Sequence, residues 1–261
     1  MIAGAALVPA DRGYAMTQFT ETQWSQSEAS HEYRDNADSY IPDRYRVIRI
    51  SQSLYEQFVM GRPGIRVMDL GCGDGIFVQH LKRCDSEFEA VLVDGSPEML
   101  AAARRRLLDC SGLSFVQATF QELLAGPPAP GGFDLVLSSL AIHHLSRDEK
   151  AALYRWVYER LKPGGLFVNN DVVRSPTRPL EDWYLRLWHD WIAAGGAVQD
   201  KPELLDVPQR YKNNPDNHTD TLRDQLAMLE AAGFTAVDCY YKLGIFAMFG
   251  GQKPVKRGED L

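Results

Sequence analysis

The residues with the clearest chemical content form the run VMDLGCGDG, residues 67–75. An apolar stretch ends at Asp69. Gly71, Gly73 and Gly75 then alternate, in a pattern that lets the backbone turn tightly and approach a ligand closely. A dinucleotide site needs the spacing G-x-G-x-x-G, with its glycines against a pyrophosphate. Here the spacing is G-x-G-x-G, with the Asp69 carboxylate just before it. That charge repels a pyrophosphate and attracts an ammonium or a sulfonium. About twenty residues further on, VLVDGSPEML sets Asp94 at the end of a second apolar run, where a carboxylate can accept both hydroxyls of a ribose. Either half alone reads equally well as a strand-to-helix turn with a capping aspartate. The two together point to a nucleoside with a cationic neighbour.

These residues need a frame. The spacing predicts strands at 66–70, 90–94, 113–118, 133–138 and 165–171, with helices between them. One helix runs from Gly75 to Arg83. A second begins at Ser96, with Pro97 in its first position, and runs to Leu108. A third begins at Ser146, where Glu149 three residues on completes a capping-box pattern, and ends before Lys162-Pro163-Gly164-Gly165. Repeated strand–helix alternation implies a doubly wound, mostly parallel α/β sheet. An amphipathic helix at 43–59 precedes it, with Val47, Ile50, Leu54 and Phe58 on one face. A helix from Thr221 to Ala232 closes at Gly233. Strands 236–242 and 245–249 follow, joined by a turn at Leu243-Gly244. The alternation breaks at 175–218, an insertion rich in aromatic residues. Residues 1–42 read as a leader and cap segment, and 43–261 as one catalytic domain.

The chain has 261 residues and a formal net charge of −7, which disfavours a nucleic-acid partner. No run of eighteen apolar residues marks a membrane span. The first positive charge is Arg12, so the leader lacks the basic start of a signal peptide. Met16 offers a second start. The four cysteines, Cys72, Cys84, Cys110 and Cys239, form no CxxC pair, as expected of reduced thiols in a cytoplasmic protein.

Residues 65–171 resemble the class I S-adenosylmethionine-dependent methyltransferases. VMDLGCGDG is similar to their first motif and VLVDGSPEML to their acidic second-strand motif. FDLVLSSLAIHHL is similar to the fourth-strand motif and LKPGGLFVNND to the motif entering the fifth. The resemblance implies a seven-stranded Rossmann-like sheet with a C-terminal antiparallel hairpin, an N-terminal helical cap and S-adenosylmethionine as cofactor. It implies that the backbone around Gly71, Cys72 and Gly73 holds the methionine part, with Asp69 nearby. It assigns Asp94 to the ribose hydroxyls, and places Gly95, Ser96 and Met99 beside ribose and adenine. Many members bond the adenine amine with an acidic residue after the third strand. Thr119 stands there in this chain, followed by Phe120, so a hydroxyl or backbone bond is expected instead. The backbone near Ser138 would face the methionine amine, and Tyr40 would close over the cofactor. The ending DNHTDTLRDQLAMLEAAGF is similar to those of small-molecule methyltransferases and of carboxy-S-adenosylmethionine synthases.

Methyl transfer is an in-line displacement, so catalysis needs alignment and a deprotonated nucleophile. His143 and His144 follow the fourth strand, and either could act as base. Either could equally cap a loop. Adjacent side chains on an extended segment diverge, so the pair does not suggest a metal site, and no metal is expected. Asp171 ends the fifth strand with Asn169 and Asn170, and could orient substrate. Asn169 reads as the start of a loop. In the insertion, Trp183, Tyr184, Trp188 and Trp191 have helical spacing, suited to a core face, a dimer contact or a lid over an apolar or cationic substrate. The resulting expectation is methyl transfer to a small organic molecule. A carboxy-S-adenosylmethionine synthase of tRNA wobble modification and a catalytically silent cofactor-binding protein are the alternatives. The glycine spacing disfavours a nicotinamide oxidoreductase.

Overall fold

The computed structural model describes residues 19, 22, 27–126 and 131–255, with the backbone alone at 27–31 and 33. The leader with Met16, Trp24 and the Tyr33 side chain lie outside the described residues.

The predicted alternation forms one seven-stranded sheet. Its strands are β1 (Arg66–Leu70), β2 (Glu89–Asp94), β3 (Leu113–Gln117), β4 (Phe133–Ser139), β5 (Leu161–Val172), β6 (Thr235–Leu243) and β7 (Phe246–Gln252). They lie in the order β3-β2-β1-β4-β5-β7-β6. Strands β1 to β5 are parallel, and β7 runs antiparallel to both β5 and β6. The chain moves outward from β1 to β3, then crosses back to β4 on the other side of β1. That reversal opens a crevice at the carboxyl ends of β1 and β4.

Period-two alternation sends neighbouring strand residues to opposite faces. Val67, Leu92, Leu137 and Val168 pack into one core with Leu81 and Ala103. Those two residues belong to helices α3 (Ile76–Cys84) and α4 (Pro97–Arg106), and α2 (Arg44–Phe58) covers the same face. Met68, Val136 and Phe167 pack into a second core with Leu153, Trp156 and Leu229, from α6 (Arg147–Arg160) and α9 (Leu222–Ala232). Burial on both faces explains why these strands read as nearly continuous apolar runs. The capping box at Ser146 forms as the sequence suggests. Ser146 Oγ accepts from the Glu149 amide at 3.4 Å, and Glu149 Oε2 accepts from the Ser146 amide at 2.8 Å.

Several boundaries differ from the sequence reading. Strand β5 begins at Leu161 and continues to Val172, so Asn169 is a buried strand residue and not a loop start. Strand β7 extends beyond Phe249 through Gly250 and Gly251. Glycine is a weak strand former, but a Cβ at Gly250 would lie 2.0 Å from the Phe167 carbonyl oxygen. The β5–β7 approach therefore requires glycine there. Helix α4 ends at Arg106, short of Leu108. Helix α1 (Ser27–Tyr40) lies in the expected cap segment, whereas α5 (Phe120–Ala125) had no counterpart in the reading. The insertion folds into α7 (Arg178–Ala193), two 3-10 turns and α8 (Val207–Asn213). Among the described residues, no helix is long and apolar enough to cross a membrane. All four cysteines are free.

Candidate active site

The crevice at the ends of β1, β2 and β4 is a cleft lined by Asp69, Gly71, Cys72, Gly73, Asp94, Gly95, Ser96, Met99, Thr119 and Phe120, together with residues the sequence did not single out. The glycines are necessary where the turn demands them. Gly71 and Gly73 have φ of 65° and 53°. A Cβ on Gly71 would meet the Ala141 methyl at 2.4 Å, whereas Gly73 faces open space. Asp94 braces this turn. Its Oδ2 accepts from the Gly73 amide at 2.8 Å and its Oδ1 from the Ser96 amide at 2.9 Å. Burial pushes the Asp94 carboxyl up, and these two donors pull it back. Ser96 caps α4, its Oγ accepting from the Met99 amide at 3.3 Å.

Asp69 differs in having no such support. It is 1 % exposed, and its Oδ2 has no hydrogen-bond partner. Burial first, then the charges of Asp94 and Asp74, push its carboxyl well above the ordinary range. An unpartnered buried carboxyl lining a cleft suits a cationic ligand. Cys72 behaves as a small packing group, its thiol pushed up by burial. Phe19 of the N-terminal segment lies against Gly95, where a Cβ would come within 2.9 Å of the ring.

Three predicted positions fall differently. Ser138 is buried, with its Oγ donating to the Leu70 carbonyl at 2.7 Å. The cleft wall begins one residue later, at Ser139, because the alternation of β4 turns Ser138 into the sheet packing. Thr119 reaches the cleft, but its hydroxyl serves the capping box of α5, accepting from the Glu122 amide and donating to Glu122 Oε2, both at 3.1 Å. The T-x-x-E spacing carried that signal in the sequence. Tyr40 lies outside this cleft and lines a second cavity beside it, where its carbonyl accepts from Trp188 Nε1 at 2.6 Å. Ile41 and Arg44 are the residues of this region that reach the cofactor cleft.

The second cavity meets the first along Ile41, Leu140 and His144, which line both. Leu140 is held at φ 52°, unusual for a branched side chain, and its amide donates to the Asn170 carbonyl at 2.8 Å. The aromatic insertion supplies much of the new wall. Trp188 is buried edge-on against Phe246 and Tyr211, with ring centroids at 5.0 Å and 5.6 Å. It is at once core and cavity lining. Trp183, by contrast, is 49 % exposed.

His143 and His144 occupy a 3-10 turn (Ile142–His144), not an extended segment. Their rings therefore converge, with centroids 3.9 Å apart. The structure brings His143 and Asp171 together. Asp171 Oδ1 lies 2.6 Å from His143 Nδ1, and Oδ2 accepts from the His143 amide at 2.9 Å. A carboxylate only accepts, so Nδ1 carries a hydrogen, and the neutral form of the ring has its lone pair on Nε2. Both residues are buried, and His143 lines the second cavity. His144 bonds through Nδ1 to the Asp216 carbonyl at 3.1 Å. Burial, then the neighbouring His143, hold its pKa well below the usual histidine value, so it is neutral near pH 7.

Comparison with known proteins fits this geometry. A family model described as a methyltransferase domain matches residues 67–165. The ubiquinone/menaquinone biosynthesis C-methyltransferase UbiE of Escherichia fergusonii is 30 % identical over 212 residues, which cover 77 % of this chain and 80 % of that protein. The chain belongs to the class I S-adenosylmethionine-dependent methyltransferases. The carboxy-S-adenosyl-L-methionine synthase of Trichodesmium erythraeum is 26 % identical over 215 residues, covering 76 % of this chain and 80 % of the relative. Among solved structures, an O-methyltransferase family protein from Burkholderia thailandensis superposes with a TM-score of 0.62 at 14 % identity, over 91 % of this methyltransferase and 63 % of the other chain. That likeness is one of fold. The residues of the first cleft fit the family's cofactor, S-adenosylmethionine. Asp69 offers a buried, unpartnered oxygen to a cation, and the space over Gly73 admits a ligand.

Proposed function

We propose that this methyltransferase acts on a small organic molecule seated in the second cavity, and that the methylated atom is a hydroxyl oxygen. The observation that carries the reading is His143, in the wall of a cavity that adjoins the cofactor cleft, with its Nδ1 2.6 Å from the buried Asp171 carboxylate behind it. Bound S-adenosylmethionine supplies an electrophilic methyl group. The protein's share is alignment and proton removal. Asp171 fixes the ring and its tautomer through Nδ1, so Nε2 is the nitrogen that remains for an acceptor in the cavity that His143 lines. From there His143 takes the acceptor's proton as its oxygen attacks. Trp188, Tyr211 and Phe246 exclude water from the acceptor and hold an apolar body by face and edge contacts. His144, neutral and bonded to the Asp216 carbonyl, forms the partition between the two compartments. We assign it no proton transfer.

The test is turnover of hydroxylated small molecules with S-adenosylmethionine, followed by mass spectrometry of product and of S-adenosylhomocysteine. Once an acceptor is found, His143→Ala should lower kcat about a hundredfold with little change in cofactor affinity. Asp171→Asn should lower it too, because an amide can present the wrong tautomer partner to Nδ1. Full activity in His143→Ala would remove the base assignment. The carboxy-S-adenosylmethionine synthase reading rests on relatives alone. A carboxylated cofactor co-purifying with the protein would favour it over transfer to a separate acceptor.

A further inference from the structure

The second cavity has an interior and a mouth of different character. His143, Trp188 and Phe246 line it and are 7 %, 6 % and 5 % exposed. The side chains of Arg210 and Glu32 also line it, but they are 52 % and 53 % exposed. Arg210 Nη1 donates to Glu32 Oε1 at 2.9 Å, so the pair joins α8 to α1 at the solvent end of the cavity. Among the described residues lining the cavity, Arg210 is the only arginine or lysine and Glu32 the only acid. Helix α8 turns one face to this space. Val207, Arg210, Tyr211 and Asn214 follow at helical spacing, and all four line it. Asn214 Oδ1 accepts from the Asp216 amide at 3.0 Å, so its NH2 is the part of the carboxamide that remains for a ligand. The rim of α8 thus carries a guanidinium and a neutral donor one turn apart, above an aromatic wall.

We propose that the acceptor carries a carboxylate, which Arg210 takes in exchange for Glu32, with the Asn214 amide beside it. Glu32 holds the place that the acceptor's carboxylate takes. The exchange costs little, because an ion pair half in water is weak and Glu32 returns to water when released. The incoming carboxylate matches the guanidinium fork in two parallel bonds and is held by the rest of its molecule as well. Its apolar body lies on Trp188 and Phe246, and its hydroxyl reaches His143. The assignment rests on the reading of this cavity as the acceptor site, and narrows the acceptor from hydroxylated molecules to hydroxy acids.

The experiment is calorimetric titration of the full-length protein, saturated with S-adenosylhomocysteine. The probes are phenylacetate, 3-phenylpropanoate, 4-phenylbutanoate and 5-phenylpentanoate, each beside its primary amide. They lack the hydroxyl, so no proton transfer enters the measurement. At least one acid is expected to bind about tenfold more tightly than its amide. Arg210→Gln should erase that preference and leave the amide's affinity unchanged. Glu32→Gln should act in the opposite sense, tightening the acid about two- to fivefold by removing its competitor. A series in which no acid binds better than its amide would overturn the proposal. So would a preference that survives Arg210→Gln, or an acid that binds more weakly to Glu32→Gln. If Arg210→Gln does not fold, the sign of the Glu32→Gln effect decides. An acid preference without turnover of the hydroxylated acids would remove the oxygen-transfer reading and leave this one standing. Turnover of hydroxylated amides as fast as of the acids would do the opposite.

Discussion

Asp69 and Asp94 are alike in sequence, each a carboxylate at the end of a strand, but the structure gives them different work. Asp94 braces the glycine turn through two amides while it lines the cleft. Asp94→Ala should weaken S-adenosylmethionine about tenfold or more by titration, and unchanged affinity would remove it from the site. Asp69 has its folded pKa raised by burial above the unfolded value of 3.8. A carboxyl so raised costs stability once pH exceeds the unfolded value, and the cost grows as pH climbs toward the folded value. Asp69→Asn should therefore raise the midpoint of denaturation of the ligand-free protein at neutral pH. The same shift couples binding to a proton. A cationic ligand favours ionised Asp69, so binding expels a proton, and affinity should rise with pH up to the raised value and then level off. Calorimetry in buffers of different ionisation heat would measure the released proton, and Asp69→Asn should abolish it. The types and spacing of both aspartates were legible in the sequence. The pairing of His143 with Asp171 was not, because it joins the turn after β4 to the end of the neighbouring strand β5, 28 residues apart in sequence.

At the level of elements, the strands of the parallel core were legible because burial on both faces writes them as apolar runs. What escaped the reading depends on contacts distant in sequence. The two glycines of β7 look like a strand end until the Phe167 carbonyl is seen beside Gly250. Gly250→Ala should cost about 3 kcal/mol in a denaturant titration, through the β5–β7 pairing, and a neutral effect would mean that the two strands can separate. Helix α5 was announced by Thr119 and Glu122, but the resemblance assigned Thr119 to the adenine and hid the cap. The 3-10 turn that brings the two histidine rings together is too short to leave a periodic signal.

The whole molecule divides into a legible half and a half that only packing reveals. The sheet with its cofactor cleft follows from motifs. The second cavity does not, because its wall is assembled largely from α1, the insertion and β7. The far end of the insertion docks on α6 through Lys150, which is 0 % exposed and donates to Asp220 Oδ2 at 2.8 Å and to the His218 carbonyl. The His218 amide in turn donates to the His143 carbonyl at 2.9 Å. Lys150→Met should cost about 3 kcal/mol of stability, the low end for a broken buried pair because Arg147 also holds Asp220. It should lower turnover as well, by loosening the support of the histidine turn. Methyl transfer from the first compartment to the second requires that the two meet at the cofactor's sulfur. A crystal structure with S-adenosylhomocysteine tests it most directly. The expected result has the ribose on Asp94 and the sulfur facing the wall formed by Ile41, Leu140 and His144, with the second cavity beyond it. A ribose away from Asp94, or a sulfur turned from that wall, would contradict it.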